Sequence, residues 1–466
     1  ACVGSLNDPA QMEEIIASGQ ADLVEIARGL VADPYLPKKA LEGRANDINP
    51  CLRCYECFGE TGKSETVKCT VNPTQGQQLF CKTDPEKAPT EKKRVLVAGG
   101  GPAGMEAAIT AAARGHEVTL AEKADKLGGN LYPAGAPYFK EDILKLCNVL
   151  IRRVEASGVN VVLNTEVTAD YIREFDPDAL FVAIGSNELV PPIKGMDLPN
   201  VIMAIDAELH PDKLGERVAI IGGGLVGAEA AVSFAHEGKK CSIIEMKHEV
   251  AEEVNSFYRG GLMPHVKESA ALYTDTKVKE IRPEGVVCEN ADGEFLVEAD
   301  SVVCAVGFRA PYATVDEFCD LVDESYIIGD CNNVAQIYQA MNASVAIAAM
   351  EGISREPVTK EKYGRWQRAL AEVHWDGRME EICPGIYLDG AHNPGAITAF
   401  CDSIQALGEE TPSVILFSAV EDKEYESMIR ELCERVPAET YVVTEIEDGR
   451  RVPAEVLKHI FECQRL

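Results

Sequence analysis

The feature that most constrains the fold is a glycine-rich turn between an apolar run and a helix pattern of small residues. It lies in "RVLVAGGGPAGMEAAITAAARGHEVTLAEK", where Gly99, Gly101 and Gly104 directly follow the predicted strand. Gly99 permits a tight turn, Gly101 lets the backbone approach a pyrophosphate, and Gly104 lets the helix pack closely on the strand. Glu122 ends the next predicted strand, where a carboxylate can accept hydrogen bonds from ribose hydroxyls. This order of elements predicts a dinucleotide-binding βαβ unit.

The same unit occurs a second time in "RVAIIGGGLVGAEAAVSFAHEGKKCSIIEM". Its glycines are Gly222, Gly224 and Gly227, and Glu245 ends its second predicted strand. From the first unit to about residue 353, strands and helices alternate, and β-branched runs precede glycine-rich turns. This alternation is typical of a parallel sheet. The sequence therefore predicts an α/β protein with two Rossmann-like domains.

Two such units, with the second inside the sheet pattern of the first, resemble the two-dinucleotide-binding flavoprotein fold. In that family the first unit holds FAD and the second holds NADH or NADPH, and "LFVAIGS" and "VVCAVGF" resemble its two crossover strands. The resemblance implies that Gly129 in "KLGGN" and Gly329 in "YIIGDCNNV" belong to the FAD site, and that Asp330 contacts the ribityl chain. Members that reduce disulfides carry a cysteine pair beside the flavin. Here "LYPAGAPYF" follows "KLGGN", so disulfide reduction is not expected.

The acid of the second unit bears on the choice of nicotinamide cofactor. A carboxylate at Glu245 repels a 2′-phosphate and therefore favours NADH over NADPH. Lys239, Lys240 and Lys247 lie nearby in the sequence and would favour the phosphate. NADH is the prediction, and NADPH is the alternative.

Four cysteines stand close together in the sequence: Cys51, Cys54 and Cys57 in "CLRCYECF", and Cys69 in "VKCTVNP". Four thiolates on an irregular loop suit a [4Fe–4S] cluster or a structural zinc ion equally well by their chemistry. Zinc ribbons more often use two C-x2-C pairs, whereas three closely spaced cysteines and a remote one favour iron–sulfur. The spacing alone therefore favours a [4Fe–4S] cluster but leaves a structural zinc ion as the alternative.

The flanking sequence resembles one family on both sides of the cysteines. "GQADLVEIARGLVADPYLPKKALEG", "INPCLRCYEC" and "CTVNP" are similar to the 2,4-dienoyl-CoA reductase, enoate reductase and trimethylamine dehydrogenase family. There an FMN-binding (β/α)8 barrel precedes a four-cysteine [4Fe–4S] segment and then FAD and NADH domains. The resemblance implies that the four cysteines hold such a cluster, and that Gly4 and Arg28 belong to the FMN phosphate site. Most of the barrel, with the FMN ring site, is expected to lie before Ala1, so FMN is expected only where that barrel is present.

The C-terminal part does not fit that family. "HWDGRMEEICPGIYLDGAHNPGAITAF" resembles the C-terminal α/β domain of folylpolyglutamate synthase, a Mur-type ligase. The resemblance implies that Asp389 and His392 serve the nucleotide, the metal and the incoming glutamate. The loop G-x-x-x-x-G-K-[ST] of that ligase's ATP-binding domain occurs nowhere in the sequence, so the tail alone is expected to be catalytically silent. The sequence up to about residue 353 and the ligase-like tail thus resemble two different families. Both a natural fusion of two genes and an artefact of gene assembly are compatible with such a chain.

Composition and net charge limit the classes of partner that this protein is expected to bind. The formal net charge of −31 disfavours nucleic acid and anionic membranes, because phosphate binding needs clustered Lys and Arg. No run reaches the roughly 18 apolar residues of a membrane helix. Sixteen cysteines in a chain this large do not suit a disulfide scaffold, so a reducing, cytoplasmic location is expected. The expected partner is a small-molecule substrate, and a homo-oligomer is compatible with the sequence.

The sequence thus predicts the electron-input part of an NADH-dependent flavoprotein that passes electrons from NADH to FAD, to [4Fe–4S] and to FMN. A ligase fragment fused to a flavoprotein is the alternative. No side chain stands out as an acid or base, so the catalytic residues are unknown. The predicted segments are 1–46 (barrel end), 47–92 (iron–sulfur segment and linker), 93–212 (FAD domain, first part), 213–312 (NAD domain), 313–353 (FAD domain, second part), 354–364 (linker) and 365–466 (ligase-like domain).

Overall fold

The computed structural model of the chain describes most of the first 341 residues and separate short segments after them. The described residues are 1–61, 67–76, 92–337, 339–341, 380–383, 386–388, 397, 400–401, 414–418, 425–436, 438, 440–444 and 452–464. The chain divides into two compact units, Ala1–Lys360 and Glu361–Leu466. No helix among the described residues combines the length and the apolar character that crossing a membrane would require.

The first unit is built of short strands and helices that alternate along the chain. Its strands are β1 (Cys2–Val3), β2 (Val24–Glu25), β3 (Arg94–Ala98), β4 (Glu117–Ala121), β5 (Asn160–Val162), β6 (Ala179–Val182), β7 (Asn187–Glu188), β8 (Val201–Met203), β9 (Arg217–Ile221), β10 (Lys240–Ile244), β11 (Ala270–Tyr273), β12 (Lys277–Arg282), β13 (Gly285–Asn290), β14 (Gly293–Glu298), β15 (Ser301–Cys304), β16 (Phe308–Arg309) and β17 (Ser325–Ile327). Its α-helices are α1 (Pro9–Ala17), α2 (Arg28–Ala32), α3 (Leu36–Leu41), α4 (Glu56–Thr61), α5 (Pro102–Ala113), α6 (Leu131–Ala134), α7 (Glu141–Ala156), α8 (Ala169–Phe175), α9 (Ala204–Leu209), α10 (Leu225–His236), α11 (Ser256–Ser269) and α12 (Tyr312–Cys319). Short 3₁₀ turns lie at Ala45–Asp47, Tyr138–Lys140, Pro211–Lys213 and Gly329–Cys331.

The N-terminal segment begins with a small βαβ unit. Strands β1 and β2 pair in parallel, and α1 connects them. Asp8 caps α1 by accepting a hydrogen bond from the Ala10 amide, and Pro9 occupies the first helical position. This strand–helix–strand order is compatible with the barrel end predicted for residues 1–46. A (β/α)8 barrel stays a prediction, because one parallel pair does not define a barrel.

The first large sheet is parallel and has the strand order β17-β6-β3-β4-β5. Its strands are short apolar runs such as Val95–Ala98, which is buried throughout. Helices cover both faces: Met105 and Leu146 pack on one, and Phe318 and Val315 pack on the other. Burial on both faces is the usual setting of a parallel sheet, which explains why its strands lack a polar alternation.

The second large sheet repeats this architecture with the order β11-β10-β9-β15-β8, and it is also parallel. Helices α10 and α11 cover one face, where Phe234 and Val266 are buried. Strands β12, β13 and β14 form an antiparallel sheet whose Ile281 and Val286 pack with Val302 of β15. Strands β7 and β16 pair with each other and connect the two halves of the unit.

The antiparallel sheet β12–β14 differs from the expectation of a parallel sheet throughout this region. Its two connections are two-residue turns, Pro283–Glu284 and Ala291–Asp292. Two residues can join only antiparallel neighbours, because a parallel crossover needs a dozen or more. The two-residue turns are therefore the sequence feature from which this antiparallel sheet could have been predicted.

The second unit also mixes strands and helices. Its described elements are the antiparallel pair β18 (Glu380–Cys383) and β19 (Ile386–Leu388), the parallel pair β20 (Val414–Phe417) and β21 (Thr440–Val443), and the helices α13 (Tyr425–Arg435) and α14 (Ala454–Gln464). Met428, Ile429 and Leu432 of α13 are buried with Leu457 and Phe461 of α14. The predicted ligase residues Asp389 and His392 lie outside the described residues.

A buried polar cluster lies between helices of the two halves of the first unit. The Lys140 ammonium is 2.5 Å from an oxygen of Glu229 on α10. The Tyr258 hydroxyl on α11 donates to the same oxygen over 2.6 Å. Burial, together with the nearby charge of Glu229, raises the pKa of Glu208 on α9 to about 7. The cluster therefore contains one carboxyl group that changes its charge near neutral pH.

This raised pKa predicts a pH-dependent stability effect for Glu208→Gln. Glu208 holds its proton more tightly in the folded chain, so its stabilising contribution is complete below about pH 4.5 and is lost as the pH rises towards 7. The substitution should therefore raise the free energy of unfolding by about 1–3 kcal/mol at pH 8 and change it little at pH 4.5. Urea unfolding at both pH values measures the difference. Glu237→Gln, at an exposed position that follows α10, should show no such contrast, and an equal effect of Glu208→Gln at both pH values would contradict the prediction.

Candidate dinucleotide and cysteine sites

The first glycine turn lies between β3 and α5, as the sequence predicts. Gly99 has a φ of 106°, and a Cβ atom there would lie 2.3 Å from the Ala183 carbonyl oxygen. A Cβ atom on Gly104 would lie 1.9 Å from the Gly99 carbonyl oxygen. A Cβ atom on Gly101, which directly precedes α5, would have nothing within 4 Å. Two glycines are thus required by packing inside the chain, whereas Gly101 faces open space at a helix N-terminus, where an anion binds favourably.

Glu122 lies at the end of β4, beside this turn. Its buried carboxylate accepts hydrogen bonds from the Gly100 amide over 2.6 Å and from the Ala124 amide over 2.8 Å. The two bonds fix the carboxylate at the edge of the turn. Each oxygen keeps a second lone pair, so the group can still accept from a ribose hydroxyl.

The other predicted FAD residues converge on the same helix end. A Cβ atom on Gly129 would lie 3.3 Å from the Gly101 Cα, and one on Gly329 would lie 2.9 Å from the Ala103 Cβ. Asp330 accepts a hydrogen bond from the Ser186 hydroxyl over 3.3 Å and from the Ala335 amide over 3.4 Å. Burial raises the pKa of Asp330. The structure therefore brings the predicted FAD residues together.

The second turn, between β9 and α10, repeats the geometry of the first. A Cβ atom on Gly222, whose φ is 101°, would lie 2.5 Å from the Ala305 carbonyl oxygen, and one on Gly227 would lie 2.0 Å from the Gly222 carbonyl oxygen. Gly224 again has nothing within 4 Å. Glu245 accepts from the Gly223 amide over 2.6 Å and from the Lys247 amide over 2.8 Å.

The three lysines near Glu245 have partners elsewhere. The Lys239 ammonium donates to the Leu214 carbonyl over 2.6 Å, and Lys240 donates to Glu216 over 2.6 Å. Lys247 donates to Glu253 over 2.6 Å. Because each of these ammonium groups already has a partner, the three lysines are weaker evidence for binding of the NADPH 2′-phosphate than the sequence suggested.

The glycine geometry predicts opposite outcomes for two Gly→Ala substitutions in the FAD turn. Gly104→Ala forces a methyl group against a backbone oxygen and should lower the free energy of unfolding by about 3 kcal/mol. Gly101→Ala meets no atom of the chain, so it should leave stability unchanged but weaken FAD binding at least tenfold. Urea unfolding of the FAD-free chain measures stability, because bound FAD would itself stabilise the fold. FAD retention on gel filtration measures binding. Loss of stability in Gly101→Ala, or normal stability in Gly104→Ala, would contradict the assignment.

The position of Glu245 predicts a specific effect on the nicotinamide cofactor. Glu245→Gln removes the charge that would accept the ribose hydroxyls of NADH, so KM for NADH in dye reduction should rise about tenfold, the equivalent of one charged hydrogen bond. KM for NADPH should rise less, because the repulsion of a 2′-phosphate is also removed. Lys240→Gln breaks an exposed ion pair at the start of β10, the end of that strand far from Glu245, and should leave both KM values unchanged. Equal KM changes for the two cofactors in Glu245→Gln would contradict this role.

The four clustered cysteines line one small cavity of about 20 Å³. The loop that carries the first three contains two non-glycine residues in the left-handed region, Arg53 with a φ of 56° and Tyr55 with a φ of 61°. Such residues cost of order 1 kcal/mol or more each and persist only where surrounding contacts hold them. The loop is therefore held in this shape by its surroundings, and in this shape Cys51, Cys54 and Cys57 line the same cavity.

Contacts from three parts of the first unit hold this loop. The Asn7 amide donates to the Cys51 carbonyl over 3.1 Å, and the Asn255 amide donates to the Cys54 carbonyl over 3.0 Å. Arg53 forms an ion pair with Asp142 of α7. The Cys54 thiol lies 3.1 Å from the Thr70 hydroxyl. Sequence reasoning missed these contacts, because the partners lie far apart in the chain and carry no local pattern.

The cavity combines buried thiols with one cation. Burial raises the pKa of Cys51 and Cys57, and it raises the pKa of Cys69 to about 12. The Arg28 guanidinium also lines the cavity and opposes this rise at Cys51 and Cys57. It lies over the Tyr55 ring, 4.7 Å from the ring centre, and its buried Nη1 has no hydrogen-bond partner among the described residues. Four thiols and an unpaired cation suit an anionic iron–sulfur cluster in donor type and charge.

The geometry of a metal centre is not formed by these side chains as they stand. Within the described part of the chain, no group of three or more His, Cys, Asp or Glu side chains is placed to hold a metal ion. All four cysteines are free thiols. The [4Fe–4S] assignment, and the choice between it and zinc, therefore stay predictions. Gly4 is exposed, and a Cβ atom there would meet nothing within 4 Å, so its role at an FMN phosphate, like that of Arg28, also stays a prediction.

Comparison with known proteins decides the family. The family described as pyridine nucleotide-disulphide oxidoreductase matches residues 56–172 and 93–349, and the second stretch alone is more than half of the chain. The chain belongs to this family. It is therefore an oxidoreductase that binds FAD and NADH. The assignment of the two glycine turns to these cofactors stays a prediction.

Relatives extend over about three quarters of the chain. The NADH oxidase of Thermoanaerobacter brockii is 37% identical over 358 residues, which cover 74% of this chain and 54% of that protein. The cinnamate reductase of Clostridium sporogenes is 34% identical over 356 residues, which cover 74% of this chain and 52% of that protein. A 2-naphthoyl-CoA reductase, solved with 2-naphthoyl-CoA, has a TM-score of 0.69 at 33% identity and covers 74% of this chain and 53% of its own. The chain thus spans about half the length of the relatives it matches.

These findings confirm the α/β fold with Rossmann-like nucleotide domains and the resemblance to FAD- and NADH-dependent oxidoreductases of the enoate-reductase type. They leave the barrel end and the iron–sulfur segment as predictions. The family match ends at residue 349, so the resemblance of residues 365–466 to a Mur-type ligase has no support from it.

Proposed function

We propose that this chain is the electron-input part of an NADH-dependent iron–sulfur flavoprotein that reduces an activated C=C bond. The main support for the proposal is how the nucleotide turns and the cysteine loop are arranged within the first unit. Two similar nucleotide turns and a four-thiol cavity lie in the same compact unit. Asn255 lies in the nicotinamide half of this unit, the predicted NAD domain of residues 213–312, and it hydrogen-bonds to the cysteine loop. The names of two relatives, cinnamate reductase and 2-naphthoyl-CoA reductase, support the substrate class.

The chain's own residues bind and orient the two nucleotides. The open positions of Gly101 and Gly224 at the starts of α5 and α10 let backbone amides approach each pyrophosphate. Glu122 and Glu245 would accept the ribose hydroxyls. Asp330, held by Ser186, would accept from the ribityl chain. The carboxylates are already oriented by backbone amides, so binding costs them little conformational entropy.

The redox chemistry would belong to the bound groups: the two nucleotides would supply hydride transfer, and an iron–sulfur cluster would supply one-electron transfer. Cys51, Cys54, Cys57 and Cys69 would hold the cluster, and Arg28 would place a positive charge beside it. A cation next to the thiolates favours the more negative, reduced form and so raises the potential of the site.

The final step would take place at FMN in the barrel of the longer relatives. Gly4 and Arg28 would belong to the phosphate site of that FMN where a barrel is present. We assign no acid or base to the step, and the substrate is proposed only as a small molecule with an activated C=C bond. Within the described residues, nothing favours a ligase activity of the second unit.

The proposal predicts NADH-dependent reduction of a dye by the purified chain reconstituted with FAD, iron and sulfide. It also predicts about four iron atoms for each chain after anaerobic purification, because four thiolates hold a four-iron cluster. Cys57→Ser should lose most of the iron and leave the NADH-to-FAD hydride transfer intact, since the two nucleotide turns are untouched.

The control is Cys319→Ser, which replaces a cysteine of similar partial burial on α12. It should leave the iron content unchanged. Zinc in place of iron would overturn the cluster assignment, and absence of NADH-dependent dye reduction in an FAD-loaded chain would overturn the electron-input role. Cinnamate should be reduced only by a protein that also contains the FMN barrel.

A further inference from the structure

We infer that Asn255 is a positioning residue that fixes the cysteine loop to the nicotinamide half of the first unit. Its side-chain oxygen accepts from the Tyr258 amide over 2.9 Å and so caps α11. Its side-chain nitrogen donates to the Cys54 carbonyl over 3.0 Å and to a Glu56 carboxylate oxygen over 3.1 Å. One amide group thus joins a helix end to a loop about 200 residues earlier in the chain.

The helix end that carries Asn255 is itself held firmly. The Tyr258 hydroxyl donates to Glu229 of α10, and Glu229 pairs with Lys140. On the other side, the Ala251 amide donates to the Gly223 carbonyl over 2.7 Å, in the turn of the second nucleotide site. Asn255 therefore projects from a segment that is anchored at both ends, so a contact made by its side chain constrains the loop rather than the helix.

The loop needs such a constraint at the position that Asn255 contacts. Arg53 and Tyr55, on either side of Cys54, are both non-glycine residues with positive φ. A chain released from outside contacts would leave this left-handed pair, because other backbone regions are lower in energy. The hydrogen bond to the Cys54 carbonyl acts on the peptide unit between these residues. It thereby fixes the direction in which the Cys54 thiol points, towards Thr70 and the cavity.

The rings of Phe58 and Phe257 add an apolar contact at the same junction. Their centres are 5.9 Å apart and their planes are tilted by 57°. Both side chains are about half exposed, at 43% and 52%, so this contact contributes less than a buried pair would. The directional part of the attachment therefore comes from the Asn255 amide.

Asn255→Asp separates the two tasks of the residue. Aspartate caps a helix as well as asparagine does, so α11 keeps its N-cap. It cannot donate a hydrogen bond, and it places a carboxylate against the Cys54 carbonyl and the Glu56 carboxylate. The loop should be released while α11 stays formed. Adding Glu56→Gln gives position 56 an amide that can donate to the new carboxylate, so the double variant should regain part of the attachment.

The test is hydrogen–deuterium exchange of the whole chain, read at the amides of Phe58 and Gly59. Both amides donate to the Tyr55 carbonyl and so report on the folded loop. Their exchange should be about tenfold faster in Asn255→Asp, which corresponds to the loss of one net hydrogen bond, and should return towards the original rate in Asn255→Asp/Glu56→Gln. Exchange along α11 should not change. The control Asn200→Asp removes an amide-to-carbonyl bond of the same kind, to Arg282, and should leave the loop unaffected.

A second readout uses iron. The inference rests on the proposed function only where it concerns a cluster, and there iron release to a chelator should be about tenfold faster in Asn255→Asp than in the unaltered chain. If the unaltered chain binds no iron, the proposed cluster is wrong. The exchange rates alone then test whether Asn255 holds the cysteine loop. Unchanged loop exchange in Asn255→Asp would overturn the inference. If exchange in Asn255→Asp is faster but iron release is unchanged, Asn255 does not position Cys54. If exchange does not recover in Asn255→Asp/Glu56→Gln, the hydrogen bond donated by the side-chain amide is not what holds the loop.

Discussion

The nucleotide-binding part of this protein depends on one close contact, made twice. At Gly104 and Gly227 the helix crosses the strand so closely that a Cβ atom would lie about 2 Å from a backbone oxygen. This approach places the start of each helix at the carboxyl end of its strand, where the next strand also ends in an acid. Glu122 and Glu245 then meet the amides of Gly100 and Gly223 over the same 2.6 Å. The site geometry thus follows from the absence of a side chain.

The cysteine loop is organised in the opposite way. It has no repeating pattern, and it contains a left-handed residue on each side of Cys54. Its shape comes from the groups that surround it: Asn7 from the N-terminal segment, Asp142 from α7 and Asn255 from the start of α11. A loop held from three sides keeps its thiols in fixed positions, which the proposed cluster would require.

The parts that sequence predicted well are those whose interactions are local. Gly99, Gly101, Gly104 and Glu122 lie within about 25 residues, and their spacing alone requires strand, turn, helix and strand in order. The antiparallel sheet β12–β14 was not expected, although its two-residue turns are visible in the sequence. The lysines near Glu245 in the sequence suggested a phosphate site, because their partners Leu214, Glu216 and Glu253 are not apparent from the pattern.

The sequence by itself determined the two nucleotide turns, their acids and the set of four thiols. Glycine spacing and residue chemistry are properties of short stretches, so they need no knowledge of the rest of the chain. Only the tertiary structure decided that Arg28 lines the cysteine cavity with an unpaired nitrogen, and that Asn255 holds the Cys54 carbonyl. These contacts join residues up to about 200 positions apart. The Asn255 contact depends on how α11 packs on the second sheet, and no local pattern encodes either contact.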